Sequence, residues 1–276
     1  MSSTDDNDAN ATVSSATLYA ALAPVYDRWQ ALDGNRPFWE LVLGQLEPVL
    51  RRRRAPVTSF VDLGCGTGEL LLAVRARHPD WRLAGVDSSP AMLAVARAKP
   101  GAAGITWREQ AIEHAVDEAP FDVAGAFYDT MNHLADRAAL ARSFHAVARL
   151  LAPGGLFVFD VTNALGFRRW WTGNRTWRDG TSVDAWQVQV EMAFRPAASA
   201  VEDGIGLATV TVTEKNVTRH ATLTQRCFPD SVVRSALAGA GLALESATPW
   251  SPFEIDASGK TLFVAVKSTS APSTPT

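Results

Sequence analysis

The chain has 276 residues, 47% of them hydrophobic and 20% charged, enough to bury roughly three quarters of its unfolded surface as one large domain. Its 26 Lys and Arg against 29 Asp and Glu give a formal net charge of -3, which provides no overall basic field for a nucleic-acid backbone. Two widely separated cysteines, Cys65 and Cys227, and histidines without metal-ligand spacing exclude a disulfide framework and a structural zinc site, so no metal is expected.

The first residues, MSSTDDNDAN, carry neither a cationic segment nor an apolar one, and no apolar run reaches the roughly 18 residues that span a bilayer. A cytoplasmic protein without a membrane partner is expected. Residues 1–14 and 269–276 read as frayed polar tails around a single domain, 15–268. Two helical patterns come first, ATLYAALAPVYDRWQAL and PFWELVLGQLEPVLRRRR, filling a lid segment at 15–54; the arginine run Arg51 to Arg54 reads as a solvated helix end. In a core at 55–163, five apolar runs read as buried strands: 57–63, 81–87, 104–109, 121–127 and 155–161. Helical patterns fill three of the gaps. Ser89 and Pro90 form a plausible N-cap and first turn for one of them, and Gly154 or Gly155 ends the last. This alternation predicts an α/β fold with a parallel sheet covered on both faces. Residues 164–226 read instead as a β-rich, antiparallel insertion, and 227–268 as a closing helix and two strands.

The first strand runs into Gly64-Cys65-Gly66-Thr67-Gly68 and then a helix, so backbone N–H groups and a helix N-terminus meet at one glycine-rich turn. A dinucleotide fingerprint would need glycine at position 69, where Glu69 stands and would repel a pyrophosphate. The second strand ends at Asp87, placed to accept both hydroxyls of an adenosine ribose. A nucleoside without pyrophosphate fits better than NAD.

From about residue 16 to 268 the chain resembles the class I S-adenosylmethionine-dependent methyltransferases, in particular a small-molecule subgroup with a β-rich insertion after the fifth strand. The resemblance rests on Asp62-Leu63-Gly64-Cys65-Gly66-Thr67-Gly68 and Asp87. It implies a Rossmann-like, doubly wound, mostly parallel seven-stranded sheet with N-terminal lid helices and an antiparallel insertion. It also implies S-adenosyl-L-methionine as cofactor, its methionine part on the glycine turn with Asp62 and Cys65, its ribose on Asp87 beside Ser88, and its adenine on Met92. The stretch after the third strand, Gln110-Ala111-Ile112, departs from the usual acidic residue, and Gln110 offers a carbonyl oxygen instead. Phe127 closes the fourth strand beside the cofactor, and Tyr26 of the lid lies near its methionine end.

Tyr128-Asp129-Thr130-Met131-Asn132-His133 then resembles the acceptor-side stretch of that subgroup. Candidate catalytic residues are His133, as the base that takes the acceptor's proton, Asp129 orienting it, and Tyr128. Asn132 and Tyr19 are candidate acceptor contacts. As an alternative, Asp129, Asn132 and His133 only satisfy local backbone groups. Of nine tryptophans, Trp81 and Trp107 alone fall in the cofactor core; either the others pack the lid, or Trp29, Trp170 and Trp171 wall a pocket for a flat, largely apolar acceptor. The expected function is N- or O-methylation of a small-molecule acceptor, with a homodimer as one possible assembly. The rival is a protein of the same fold that binds the cofactor without methylating.

Overall fold

The computed structural model describes residues 15–32, 37–53, 55–179, 186–199, 203–214, 217–250 and 258–269. Both predicted tails, apart from Thr269, and Arg54 lie outside these.

β1 (Ser59–Leu63), β2 (Arg82–Asp87), β3 (Ile105–Glu109), β4 (Phe121–Ala126) and β5 (Leu151–Thr162) pair in parallel, and β10 (Leu242–Trp250) and β11 (Lys260–Lys267) complete a sheet of order β10-β11-β5-β4-β1-β2-β3. β11 runs antiparallel to both β5 and β10. Every residue of β1 is buried, as helix cover on both faces of a central parallel strand requires. Its side chains alternate: Phe60 meets Val42, Leu46, Leu71 and Leu93 on the face of α3 (Phe38–Arg51), α4 (Glu69–Arg77) and α5 (Pro90–Ala98). Val61 and Leu63 meet Leu140, Phe144, Val233 and Leu237 on the face of α6 (Arg137–Leu150) and α8 (Asp230–Gly239). The strand order departs in opposite directions from β1, toward β2 and toward β4, and the carboxyl ends flanking such a switch point form a crevice.

A second, antiparallel sheet contains β6 (Gly173–Asp179), β7 (Trp186–Arg195), β8 (Gly204–Glu214) and β9 (Val217–Cys227) in chain order. Its apolar face, with Trp186, Val188, Val190 and Val210, packs with Leu22 and Val25 of the lid and with Phe167 of α7 (Ala164–Trp170) in a third core. The lid and the insertion thus bury each other's apolar surface.

Three local expectations change. The first helical pattern breaks into α1 (Ser15–Leu22) and α2 (Tyr26–Leu32) around a short 3-10 turn holding Pro24, which has no N–H to carry the ladder on. α6 stops at Leu150, not at Gly154, because β5 already pairs from Leu151 opposite Phe121 and bulges before Leu156 opposite Val123. Arg53 is no solvated helix end: its guanidinium donates to Asp122 O at 2.9 Å and Gly154 O at 2.8 Å, tying α3 to two strand ends. Among the described residues no helix is long and apolar enough to cross a membrane.

Candidate functional site

At the end of β1 the backbone turns sharply, with Gly64 at φ +69° and Gly66 at φ +53°. Gly64 and Cys65 both donate their N–H to Val86 O, at 2.7 and 3.1 Å, which pins the turn to β2. A side chain on Gly66 would meet nothing within 4 Å. That open side forms part of a cavity of about 190 Å³, whose wall includes Gly64, Gly66, Asp87, Ser88, Met92 and Phe127. Gln110, Ala111 and Ile112 also line it, as do Tyr19 and Tyr26 of the lid and Tyr128, Thr130, His133 and Leu134 after β4. Asp87 Oδ2 accepts the Gly66 N–H and Oδ1 the Ser89 N–H, each at 2.8 Å. Burial pushes the Asp87 carboxyl up, against the pull of those two donors. Ser89 caps α5 by accepting the Met92 N–H at 3.4 Å.

Gly68 is not part of that wall. A Cβ there would lie 2.5 Å from the Trp107 ring, so glycine lets Trp107 close on the turn. The Gln110 carbonyl also has a partner already, the Val116 N–H at 3.3 Å. Asp62 and Cys65 border an adjoining cavity of about 370 Å³, together with Tyr26 and Phe38. Burial first, then the nearby Asp87, pushes Asp62 well above the usual carboxylate range. Burial likewise pushes the Cys65 thiol well up, leaving it a packing group.

The lid is fastened to this platform by charge. Lys99 reaches Asp27 at 2.6 Å and Glu69 at 2.5 Å, and the Thr67 hydroxyl donates to Asp27 at 2.5 Å. The Tyr128 hydroxyl donates to Gln30 of α2 at 2.7 Å. Tyr19 and Tyr26 are partly buried where they line the cavity, and desolvation pushes both phenols up.

On the far side of Tyr128 lies a smaller cavity of about 150 Å³, walled by Trp29, Trp170, Trp171 and Trp177, with Tyr128, Asp129 and Gln225 also in its lining. Tyr128 lines all three cavities. Tyr128 and Asp129 are the two non-glycine residues with positive φ, +59° and +66°, among the described residues, a conformation that costs roughly 1–3 kcal/mol each. Asp160, at the end of β5, repays part of this by accepting the N–H of Tyr128 at 3.1 Å and of Asp129 at 3.3 Å. Lys260 at the start of β11, only 1% exposed, bonds to both Asp129 and Asp160. Burial opposes charge on Asp129, but Lys260 and the Thr162 hydroxyl outweigh it and hold the carboxyl below its ordinary value. Burial, aided by Asp129, outweighs Lys260 at Asp160 and pushes that carboxyl up. The sequence reading missed Asp160, Lys260 and Gln225. A lysine heading an otherwise apolar strand, KTLFVAVK, was the available signal, since lysine is almost never fully buried unless paired.

Two expected roles change. Asn132 is no acceptor contact: it is fully buried, its amide donates to Thr162 O at 3.1 Å and Arg226 O at 2.7 Å, and its carbonyl accepts the Thr162 N–H at 2.9 Å. Asp129 makes no hydrogen bond that would orient His133: its Oδ1 accepts from Lys260 and Thr162, and the His133 Nδ1 is buried without a partner among the described residues. The His133 Nε2 instead lies 3.0 Å from the Tyr19 hydroxyl and 3.1 Å from the Gln225 amide nitrogen. Which ring nitrogen carries the proton follows the tautomer, and His133 Nδ1 and Gln225 Oε1 are both buried without a hydrogen-bond partner among the described residues. Burial, which Asp129 opposes, pushes His133 down to about 4.

The first two cavities suit S-adenosylmethionine: the open cradle at Gly66, the Asp87 carboxylate beside it, apolar Met92, Ile112 and Phe127, and the Asp62 carboxyl next door. Residues 60–155 match the family described as "Methyltransferase domain". The ubiquinone biosynthesis O-methyltransferase of Xanthomonas campestris pv. campestris (strain B100) is 30% identical over 150 residues, 52% of this chain and 59% of that one. The chain spans about half the length of the curated relatives it matches. Among solved structures, the sugar N-methyltransferase KedS8 from Streptoalloteichus sp. ATCC 53650 superposes with TM-score 0.68 at 23% identity, covering 97% of this chain and 99% of that one. S-adenosylmethionine-bound CalS10, an amino pentose methyltransferase from Micromonospora echinaspora, superposes with TM-score 0.64 at 21% identity, covering 88% and 97%. At these identities the superpositions establish the fold. Residues 60–155 thus carry a methyltransferase domain, and the chain has the fold of the S-adenosylmethionine-dependent methyltransferases.

Proposed function

We propose that the chain methylates an amine nitrogen of a small-molecule acceptor. The observation that carries this reading is Tyr128, a shared wall of the glycine-turn cavity and of the tryptophan-lined cavity beyond it, where Asp129 supplies a carboxylate. Bound S-adenosylmethionine supplies an electrophilic methyl group on a positively charged sulfur. The residues of the chain then do the positioning. Asp87 holds the ribose, Gly64 and Gly66 admit the methionine arm, and Asp62 faces its ammonium. Trp29, Trp170 and Trp171 would hold the acceptor with its nitrogen turned toward Tyr128 and the methyl group that the bound cofactor would supply. The Asp129 carboxylate, ionised through Lys260, would favour positive charge on an acceptor nitrogen in the tryptophan-lined cavity. His133, pushed down to about 4 with Nε2 engaged, is neutral at pH 7 and serves as a positioning group. The acceptor binds as the free amine and releases its proton after transfer. An amine also agrees with the descriptions of KedS8 and CalS10 as a sugar N-methyltransferase and an amino pentose methyltransferase.

The test is incubation with methyl-labelled S-adenosylmethionine and a fractionated pool of amine metabolites. Label on an amine nitrogen, dependent on the enzyme, is expected. Label on oxygen or carbon overturns the amine assignment, and tight S-adenosylhomocysteine binding without any labelled product favours the non-methylating alternative.

A further inference from the structure

The acceptor turn is held by a residue from the other end of the chain. Its two strained positions, Tyr128 and Asp129, present their N–H groups to Asp160, yet a buried carboxylate facing a second one, Asp129, would repel it. Lys260 resolves the conflict, with one ammonium bonded to both carboxylates and one side chain from the far edge of β5 reaching under the turn. We infer that Lys260 is a positioning residue for methyl transfer: it holds the Tyr128–Asp129 turn in its left-handed form and keeps the Asp129 carboxylate charged at the wall of the acceptor cavity. The inference rests on the proposed methyl transfer for its catalytic meaning, though its physical content is independent of it. Thr162 supports the same carboxylate by hydroxyl donation. The charged and titratable groups acting on Asp129 are Lys260 from β11, Asp160 from β5, His133 of the turn itself, and the phenols of Tyr19 and Tyr26 from the lid. Lys260 is the one cation bonded to Asp129 among the described residues, and Arg175 lines the same cavity. Removing Lys260 should therefore release both the charge state of Asp129 and the geometry of the turn, while the cofactor contacts at Gly66 and Asp87, which Lys260 does not touch, persist.

The experiment compares wild type with Lys260→Met, and with Lys260→Met/Asp160→Asn, which removes one carboxylate along with the ammonium and serves where the single variant fails to fold. Asp129→Asn assigns the resonance. In protein labelled with ¹³C at aspartate carboxyls, Asp129 is expected to stay ionised below the ordinary carboxylate range in wild type and to titrate above it in the lysine variants. Amide hydrogen exchange at Tyr128 and Asp129 is expected to accelerate at least tenfold in Lys260→Met, with the β1 amides unchanged. S-adenosylhomocysteine affinity, read by calorimetry, should stay within about threefold. An unmoved Asp129 titration, or exchange that rises equally across the sheet, would overturn the positioning role. Failure of wild type to bind S-adenosylhomocysteine would count against the proposed function while leaving the Asp129 result readable.

Discussion

Replacing Asp87 by Asn isolates what its charge contributes. The carboxylate accepts two backbone N–H groups, from Gly66 and Ser89, both at 2.8 Å, while an asparagine can accept only one and turns its NH₂ toward the other donor. One charge-assisted bond of about 1.5–3 kcal/mol is lost in the free protein. The loss is offset in part, because burial of the charge, which pushes the Asp87 carboxyl up, no longer costs anything. The melting temperature of the free protein should therefore fall by less than the roughly 3–12 °C that full loss of that bond would give, at roughly 2–4 °C per kcal/mol for a domain of this size. Ligand binding has no such offset. Of two ribose hydroxyl contacts to the carboxylate, at about 1.5–3 kcal/mol each, asparagine keeps one, so S-adenosylhomocysteine should weaken by about 1.5–3 kcal/mol, roughly 10- to 150-fold in Kd. Isothermal titration calorimetry on wild type, Asp87→Asn and the control Cys65→Ala reads this directly. Asp87→Asn binding within threefold of wild type would refute the assignment of Asp87 to the cofactor, and a large loss in Cys65→Ala would show that the glycine turn is sensitive for other reasons.

Three further outcomes follow from the same geometry. Asp62 is raised well above the usual carboxylate range, so the folded state binds its proton more tightly than the unfolded state, and stability falls as pH rises from the ordinary carboxylate value through the raised one. Asp62→Asn should flatten that slope in thermal melts taken across pH. The ammonium of a bound S-adenosylmethionine favours the ionised carboxyl, so wild-type affinity should rise over the same window, and calorimetry in buffers of different ionisation heat should detect a released proton. Asn132→Leu removes three buried hydrogen bonds and should cost about 3 kcal/mol or more, seen as a lower denaturation midpoint with activity per folded molecule retained; selective loss of activity in a stable variant would restore an acceptor role. With His133 down at about 4, the rate on an amine acceptor should rise with pH without an inflection between pH 6 and 7, in wild type and in His133→Asn alike. An inflection there that disappears in the variant would return His133 to the role of base.

The cofactor platform is the part the residues announce locally. Asp62, Gly64, Gly66 and Asp87 sit within one strand–turn–helix–strand stretch, and the spacing of glycines and acids follows from backbone geometry that neighbouring residues decide. The acceptor side depends on contacts between distant segments. Lys260 meets Asp129 across 131 positions and Tyr19 meets His133 across 114. Nothing in the pattern around His133 reveals that Tyr19 and Gln225 take its Nε2, so a histidine near an expected site reads as a base until its neighbours are in place. Asn132 misleads in the same way, because a polar residue in a functional-looking stretch can be spent on backbone groups of β5 and β9. The tryptophans fall between these cases: Trp29, Trp170 and Trp171 do share one cavity, yet Trp171 and Trp186 are also buried in the core that joins lid to insertion, so packing and cavity wall are the same side chains seen from two sides.

The central claim is that the glycine-turn cavity and the tryptophan-lined cavity meet at Tyr128 and there exchange a methyl group. A crystal structure with S-adenosylhomocysteine tests it most directly. The account predicts the ribose on Asp87, the adenine between Met92 and Ile112, and the sulfur turned past Tyr128 toward Asp129 and Trp170. A sulfur facing away from that cavity, or a ligand seated outside the Gly66 cradle, would contradict it.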